Sequence, residues 1–193
     1  DALTGRWGRE QFSGFQLFGK TLGIIGLGRL GSISSKIGSG FGMNVIGHDP
    51  NLTEHDAANL VSFEQLLTQS DVVSLHLHLN KATENLISSE QFRMMKRNSI
   101  LINTSRGKIV DETALIYALE KNLIAGAGLD VIDGEWLLNE ERTDHPLIKY
   151  ANDNKNLLIV PHIGGSTVES INGARIFMAK KMVDVLKGMN GRL

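Results

Sequence analysis

Short apolar runs recur along this chain, and segments of helical period separate them. The runs are Thr21–Gly26, Met43–Gly47, Asp71–Leu77, Ser99–Asn103, Gly126–Val131 and Leu157–Val160. They are too short for amphipathic helices and are bounded by turn residues, which predicts strands buried on both faces. Between them, Arg29 to about Phe41 sets Leu30, Ile33, Ile37 and Phe41 on one helical face. Ser62-x-x-Gln65 and Ser88-x-x-Gln91 are capping-box patterns, and Asp111 caps a helix to about Lys121. Ser166-x-x-Glu169 opens a last helix that ends near Gly188. Strands that alternate with helices need right-handed crossovers, so the expected fold class is α/β: a doubly wound parallel sheet covered on both faces. Residues 132–156 are polar and break the rhythm, which predicts a surface excursion.

The first expected strand runs into Gly26-Leu27-Gly28-Arg29-Leu30-Gly31, which is G-x-G-x-x-G. A strand before it and a helix after it are the context that turns a weak motif into a dinucleotide fingerprint. Gly26 permits the tight turn, Gly28 admits a pyrophosphate close to the backbone, and Gly31 lets helix and strand pack. The free N–H groups of the helix start face the phosphate charge. Asp49 stands 18 residues after Gly31, at the end of the second expected strand. A carboxylate there accepts the adenosine ribose hydroxyls and repels a 2′-phosphate, and residues 50–55 hold no Arg or Lys to neutralise one. The expected cofactor is therefore NAD, not NADP. Two alternatives stay open on these residues: Asp49 as a simple turn cap before Pro50, and a methyltransferase, which shares the fold and part of the glycine pattern. The domain is expected to be of Rossmann type over residues 20–193, after an N-terminal arm over residues 1–19.

Composition excludes several classes. Twenty Lys and Arg against 21 Asp and Glu leave a net charge of −1, so no basic face for nucleic acid is expected. There are no cysteines, which rules out a disulfide scaffold, a thiolate metal site and a cysteine nucleophile, and fits a cytoplasmic setting. No metal site is expected. No apolar run approaches the roughly 18 residues of a membrane span, and nothing at the start resembles a signal peptide. The chain begins at Asp1 and not at Met, and it is expected to be part of a longer protein.

In doubly wound sheets, ligands lie beyond the carboxyl ends of the strands. Three polar residues follow such ends: Arg106 after the fourth strand, Glu135 after the fifth and His162 after the sixth. Together they suit hydride chemistry on a 2-hydroxy or 2-keto acid. A histidine takes the hydroxyl proton, a carboxylate holds its ring, and an arginine grips the substrate carboxylate. Singly, each is an ordinary loop residue; their joint placement carries the reading.

At this point the chain resembles the nucleotide-binding domain of the D-isomer-specific 2-hydroxyacid dehydrogenase family. The resemblance lies in Gly19 to Gly31, in Met95 to Gly107, in Ala127-Gly128-Leu129-Asp130-Val131 and in Pro161 to Thr167. These stretches cover nearly the whole chain, and a methyltransferase does not carry them. Within the family the pattern is nearest to phosphoglycerate dehydrogenases, without separating them from glycerate dehydrogenases and other relatives. The resemblance implies that Arg106 binds substrate, that Glu135 partners the histidine and that His162 is the acid/base. It further implies cofactor contacts at Arg29, Leu30, Asp49, His76, Thr83, Thr104, Ser105, Asp130 and Gly164, besides the three loop glycines. Asp130 takes the place of the residue that holds the nicotinamide carboxamide.

Two departures are visible. His76-Leu77-His78 stands where the family has His-x-Pro, and the segment from Glu135 to His162 is longer than usual, which leaves Glu140 and Glu141 as weaker alternatives to Glu135. The family's substrate domain is not in this sequence, so the domain alone is expected to bind NAD but to turn over little or no small-molecule 2-hydroxy acid. The family's dimers form through this domain, and an aromatic N-terminal stretch of Trp7, Phe12, Phe15 and Phe18 suits a homodimer. The second reading is a non-catalytic NAD-sensing module of the corepressor type, which shares the fold and the same three residues. A cofactor-free α/β scaffold is the third, and leaves Asp49 and the glycine loop unexplained.

Overall fold

The most apolar runs make the centre of the sheet. β1 (Thr21–Ile25) pairs with β2 (Asn44–His48) on one side and β4 (Val72–Leu75) on the other. β3 (Asn59–Leu60) lies outside β2, and β5 (Ile100–Asn103), β6 (Gly126–Leu129) and β7 (Leu157–Ile159) follow beyond β4. The computed structural model describes residues 13–137 and 144–190. Its seven strands are all parallel, in the order β3-β2-β1-β4-β5-β6-β7. The order reverses between β1 and β4, which opens a crevice beyond their carboxyl ends.

The two faces of the sheet are packed differently. One is covered by α2 (Phe63–Gln69), α3 (Ser89–Met94), α4 (Glu112–Glu120) and α5 (Pro146–Asp153) over a core that includes Leu66, Leu75, Phe92, Leu101 and Leu115. Burying one such side chain contributes roughly 1.5–3 kcal/mol. The other face carries α1 (Arg29–Gly40) on a thinner cluster of Leu22, Ile24, Leu27, Met43 and Val45. α1 meets that cluster through Gly31, Ser35 and Gly38, and Ser35 satisfies its buried hydroxyl on the Gly31 carbonyl at 2.9 Å. The apolar residues Leu30, Ile33, Ile37 and Phe41 point away and are exposed. Apolar period identifies the helix, but small residues form the side that reaches the sheet, because a Cβ at Gly38 lies 2.5 Å from Leu22 Cδ2. α6 (Val168–Asn190) likewise leaves Ile176, Phe177, Met178 and Met182 exposed.

Several sequence expectations change. β3 was not foreseen: two residues are too few to register a period. Part of the expected surface excursion is helical, since α5 starts with Pro146 at its first position and is capped by His145, whose Nδ1 accepts from Leu147 N at 3.3 Å. At the last helix the cap is Thr167 and not Ser166: Thr167 Oγ1 accepts from Ser170 N at 3.0 Å. The Ser62 box forms as expected, with Ser62 Oγ and Gln65 Oε1 each accepting from the other's backbone. Trp7, Phe12, Glu140 and Glu141 lie outside the described residues.

Asp71 fastens the entry of β4 to β1. Its Oδ2 accepts from Thr21 N at 2.8 Å, and its Oδ1 takes the Lys96 ammonium at 3.0 Å. Burial pushes this carboxyl up, but the Thr21 N–H and Lys96 outweigh it and hold the pKa below its ordinary value. A lowered folded-state pKa contributes stability above the unfolded value, and loses it as pH falls through the folded one. Asp71→Asn is therefore expected to destabilise by about 1–2 kcal/mol at pH 7. The gap to the parent protein should narrow in urea unfolding as pH falls below the ordinary carboxylate range and through the lowered pKa of Asp71; a gap independent of pH would refute this.

Candidate active site

The glycine loop leaves β1 at the crevice. Gly26 has φ +89°, and a Cβ there would lie 2.5 Å from the His76 carbonyl oxygen at the end of β4. A Cβ at Gly31 would strike the Gly26 carbonyl. Both glycines are thus required by the chain itself. Gly28 is different: its φ is −65°, and a Cβ on it meets no protein atom within 4 Å. Neither backbone nor packing asks for glycine there, so the empty side of Gly28 suits a group from outside the chain. Arg29 and Leu30 follow it, exposed. A pyrophosphate fits this cradle, and the first turn of α1 presents no acidic residue against it.

Asp49, at the end of β2, faces the loop. Its Oδ2 accepts from Leu27 N at 3.0 Å and its Oδ1 from Asn51 N at 3.0 Å. It is therefore both a turn cap and a brace of the glycine loop, and its carboxylate still has lone pairs for ribose hydroxyls. His76 contributes through its backbone: its N–H donates to the Ile25 carbonyl at 2.8 Å. Its ring lies against Ser74, with Nε2 3.0 Å from Ser74 Oγ, and burial pushes its pKa below the usual value, which keeps it neutral. Thr83 donates to the His78 carbonyl at 2.7 Å and accepts from Asn80 N, so it closes its own loop.

The loop after β5 carries Thr104, Ser105 and Arg106. Ser105 Oγ donates to the Leu75 carbonyl at 2.6 Å and accepts from Leu77 N at 3.1 Å, tying this loop to the end of β4. Its hydroxyl proton is thus engaged within the protein. Asn103, buried, holds the turn by accepting from Ser105 N and donating to the Arg106 carbonyl. Thr104 and Arg106 are exposed, and the guanidinium rests on the Ser105 carbonyl at 2.6 Å. Gly107 brings this loop against the backbone of Ile132 and Asp133, where a Cβ would clash.

Asp130 directly follows β6, and both its oxygens hold the turn after β7. Oδ1 accepts from Ile163 N at 2.7 Å and Oδ2 from Gly164 N at 2.9 Å. A Cβ at Gly164 would lie 2.7 Å from Asp130 Oδ2, which explains the glycine. Just before this grip, His162 adopts a left-handed φ of +52°. Its Nδ1 lies 2.7 Å from Glu135 Oε1. Glu135 thus makes the contact expected of the histidine's partner, while Glu140 and Glu141 lie outside the described residues. The structure brings together Asp130, Glu135, His162 and Gly164, while Arg106 stands on the loop after β5 with its guanidinium on the Ser105 carbonyl.

Residues the sequence did not single out support Glu135. Glu112, at the start of α4, accepts from Asp133 N at 2.6 Å and lies 3.4 Å from His145 Nε2. His145 Nε2 also lies 3.1 Å from the Asp133 carbonyl, so Asp133 and His145, on either side of Glu135, are drawn together beside this carboxylate. Burial pushes the Glu112 pKa above its ordinary value, against the Asp133 N–H and His145. Glutamate at the first position of a helix reads as a dipole partner, so no sequence signal marks this role. Among the described residues no group of three His, Cys, Asp or Glu could hold a metal ion, and no helix is long and apolar enough to cross a membrane.

Comparison with known proteins accounts for this arrangement. Residues 1–164 match the family model for the NAD binding domain of D-isomer specific 2-hydroxyacid dehydrogenases. A glyoxylate reductase of Thermococcus litoralis is 44% identical over 94% of this chain and 54% of its own length. A D-3-phosphoglycerate dehydrogenase of Methanocaldococcus jannaschii is 37% identical over 95% of this chain and 34% of its own. Among solved structures, D-lactate dehydrogenase with NAD+ from Lactobacillus jensenii superposes with a TM-score of 0.86 at 31% identity, over 97% of this chain and 59% of that one. The chain thus spans about half or less of the length of these curated relatives. It belongs to the D-isomer specific 2-hydroxyacid dehydrogenase family, as that family's NAD-binding domain.

Proposed function

We propose that the protein to which this domain belongs interconverts a D-2-hydroxy acid and its 2-keto acid, with His162 as acid/base, Glu135 as its partner and Arg106 as the substrate-binding residue. The observation that carries the proposal is the 2.7 Å contact of His162 Nδ1 with Glu135, beside the turn held by Asp130. A histidine that donates from Nδ1 to a carboxylate keeps the lone pair of Nε2 free for the substrate hydroxyl. Nε2 takes that proton as the carbon loses its hydride, and Glu135 stabilises the charge the ring gains. NAD, when bound, supplies the hydride acceptor. Arg106 leaves the Ser105 carbonyl to pair with the substrate carboxylate through its two-pronged guanidinium. In this reading a second domain supplies the rest of the cleft and selects the substrate. The enzymatic reading is preferred to the corepressor reading because the relatives are named as reductases and dehydrogenases.

The cofactor side is tested by titrating this chain with NADH and NADPH, with Asp49→Asn alongside. Asparagine keeps an acceptor for Leu27 N but removes the charge. The parent chain is expected to prefer NADH by at least about tenfold, and the variant to lose most of that preference. Equal affinities in the parent chain would sink the role given to Asp49.

A homodimer belongs to the same proposal. The exposed stripe of Leu30, Ile33, Ile37 and Phe41 supports it, together with the exposed Phe15 and Phe18. Ile37→Glu is expected to weaken self-association at least about tenfold in sedimentation equilibrium, through burial of a charge. An unchanged association constant would remove α1 from the interface.

A further inference from the structure

Leu27 sits in the middle of the glycine loop, and its N–H and its carbonyl, which belong to successive peptide groups, are both held from outside the loop. Its N–H donates to Asp49 Oδ2 at 3.0 Å, and its carbonyl accepts from Ser32 Oγ at 2.9 Å. Ser32 lies in the first turn of α1 and has one hydroxyl proton, which goes to Leu27. Its remaining contact, His55 Nε2 at 2.9 Å, must therefore be one in which the imidazole donates. The other ring nitrogen agrees: His55 Nδ1 accepts from Ala57 N at 3.2 Å and so carries no proton. These contacts thus assign the donor role to His55 Nε2 and the acceptor role to Nδ1. The contacts form a continuous run. It passes from Ala57 N–H through His55, Ser32 and Leu27 to Asp49, which also receives Asn51 N–H at 3.0 Å.

This run closes on itself. The segment that follows β2 is fastened to the glycine loop twice, by Asp49 at its beginning and by His55 near its end. The bonds from Ala57 N–H through His55 and Ser32 to the Leu27 carbonyl polarise one another and hold a geometry better than isolated pairs. His55 is half-buried. We propose that His55, acting through Ser32, is a positioning residue for the adenosine end of the cofactor: it fixes the Leu27 peptide so that the loop N–H groups and the Asp49 carboxylate are presented together. The inference rests on the reading of this loop as the NAD site. It adds a residue that no glycine motif contains and that lies outside the loop in sequence.

The test uses this chain, its His55→Ala, His55→Gln and Ser32→Ala variants, and the Ser32→Ala/His55→Ala pair. Binding of ADP-ribose, NADH and reduced nicotinamide mononucleotide is measured by calorimetry, with a thermal melt of each variant. His55→Ala is expected to weaken ADP-ribose and NADH about fivefold to tenfold, the usual cost of one lost hydrogen bond. Binding of the mononucleotide should not change. Glutamine, which keeps a donor, should recover most of the loss. The double variant should bind no more weakly than Ser32→Ala alone, because the two residues act in series. Unchanged ADP-ribose binding in His55→Ala, or losses that add in the double variant, would overturn the proposal. If the parent chain binds neither NADH nor ADP-ribose, the cofactor assignment of the loop fails instead, and His55 with it. A variant whose melting point falls sharply is judged by the glutamine substitution, where recovery of the fold without recovery of affinity also counts against the proposal.

Discussion

Gly28→Val should abolish measurable NADH binding while the domain stays folded. A Cβ at Gly28 meets no protein atom within 4 Å, so the substitution creates no internal clash. The backbone there, φ −65° and ψ −166°, is open to any residue. Valine at the start of a helix costs about 1 kcal/mol against glycine, or roughly a 2–4 °C drop in melting temperature for a domain of this size. The added methyls occupy the space through which a pyrophosphate reaches the N–H groups of α1. Two or three hydrogen bonds to a charged group, at about 1.5–3 kcal/mol each, are then lost. The affinity should fall by about 100-fold or more. Gly31→Ala makes the contrast, since its Cβ strikes the Gly26 carbonyl and it should destabilise the fold first. Calorimetry and a thermal melt on the same samples separate the two effects. Gly28→Val that binds NADH normally would show that the phosphate does not pass over this glycine.

His162→Asn in the full-length protein should lower kcat by about 10²–10⁴-fold, the usual contribution of a positioned acid/base. NADH affinity should stay within about threefold, because the Asp130 grip on Ile163 and Gly164 does not involve the ring. Glu135→Gln should cost less, about 10–100-fold, since the histidine remains but loses the carboxylate that orients it. It should act on kcat more than on KM. Stopped-flow turnover of a panel of 2-hydroxy acids, with each variant's NADH affinity measured in parallel, decides the matter. Near-normal kcat in His162→Asn would remove the histidine from the chemistry and restore the reading of a domain that only binds NAD.

The parts of the site that were legible in advance share one property: a local pattern with its own physical meaning. The glycine loop is such a pattern, and the turn at Gly26 forms as its spacing implies. Asp49 could be placed because the end of an apolar run sets its position to within a residue or two. The pairing of Glu135 with His162 needed more, since 27 residues separate them; the resemblance named the pair and the fold joined it. Glu112, His145 and His55 were not foreseen. Each is an ordinary surface residue by type, and each acquires its role from a contact with a segment distant in sequence. α1 shows a different limit: helical period marks a helix but not which side the sheet takes. When a strand approaches closely, small residues face it, and the larger apolar residues remain outside.

By itself, then, the sequence determined the alternation of strand and helix, the glycine loop and the acid after β2. These depend on periods of two and 3.6 residues and on turn chemistry, which act over a few residues. Only the tertiary structure decided the strand order and the crevice between β1 and β4. It also decided that Asp130 serves the turn after His162, and that the Glu135 segment and the glycine loop are braced by Glu112 and His55. The physical reason is that these are contacts across long sequence separations. Their geometry depends on how the layers pack, and on that the spacing of residues along the chain is silent.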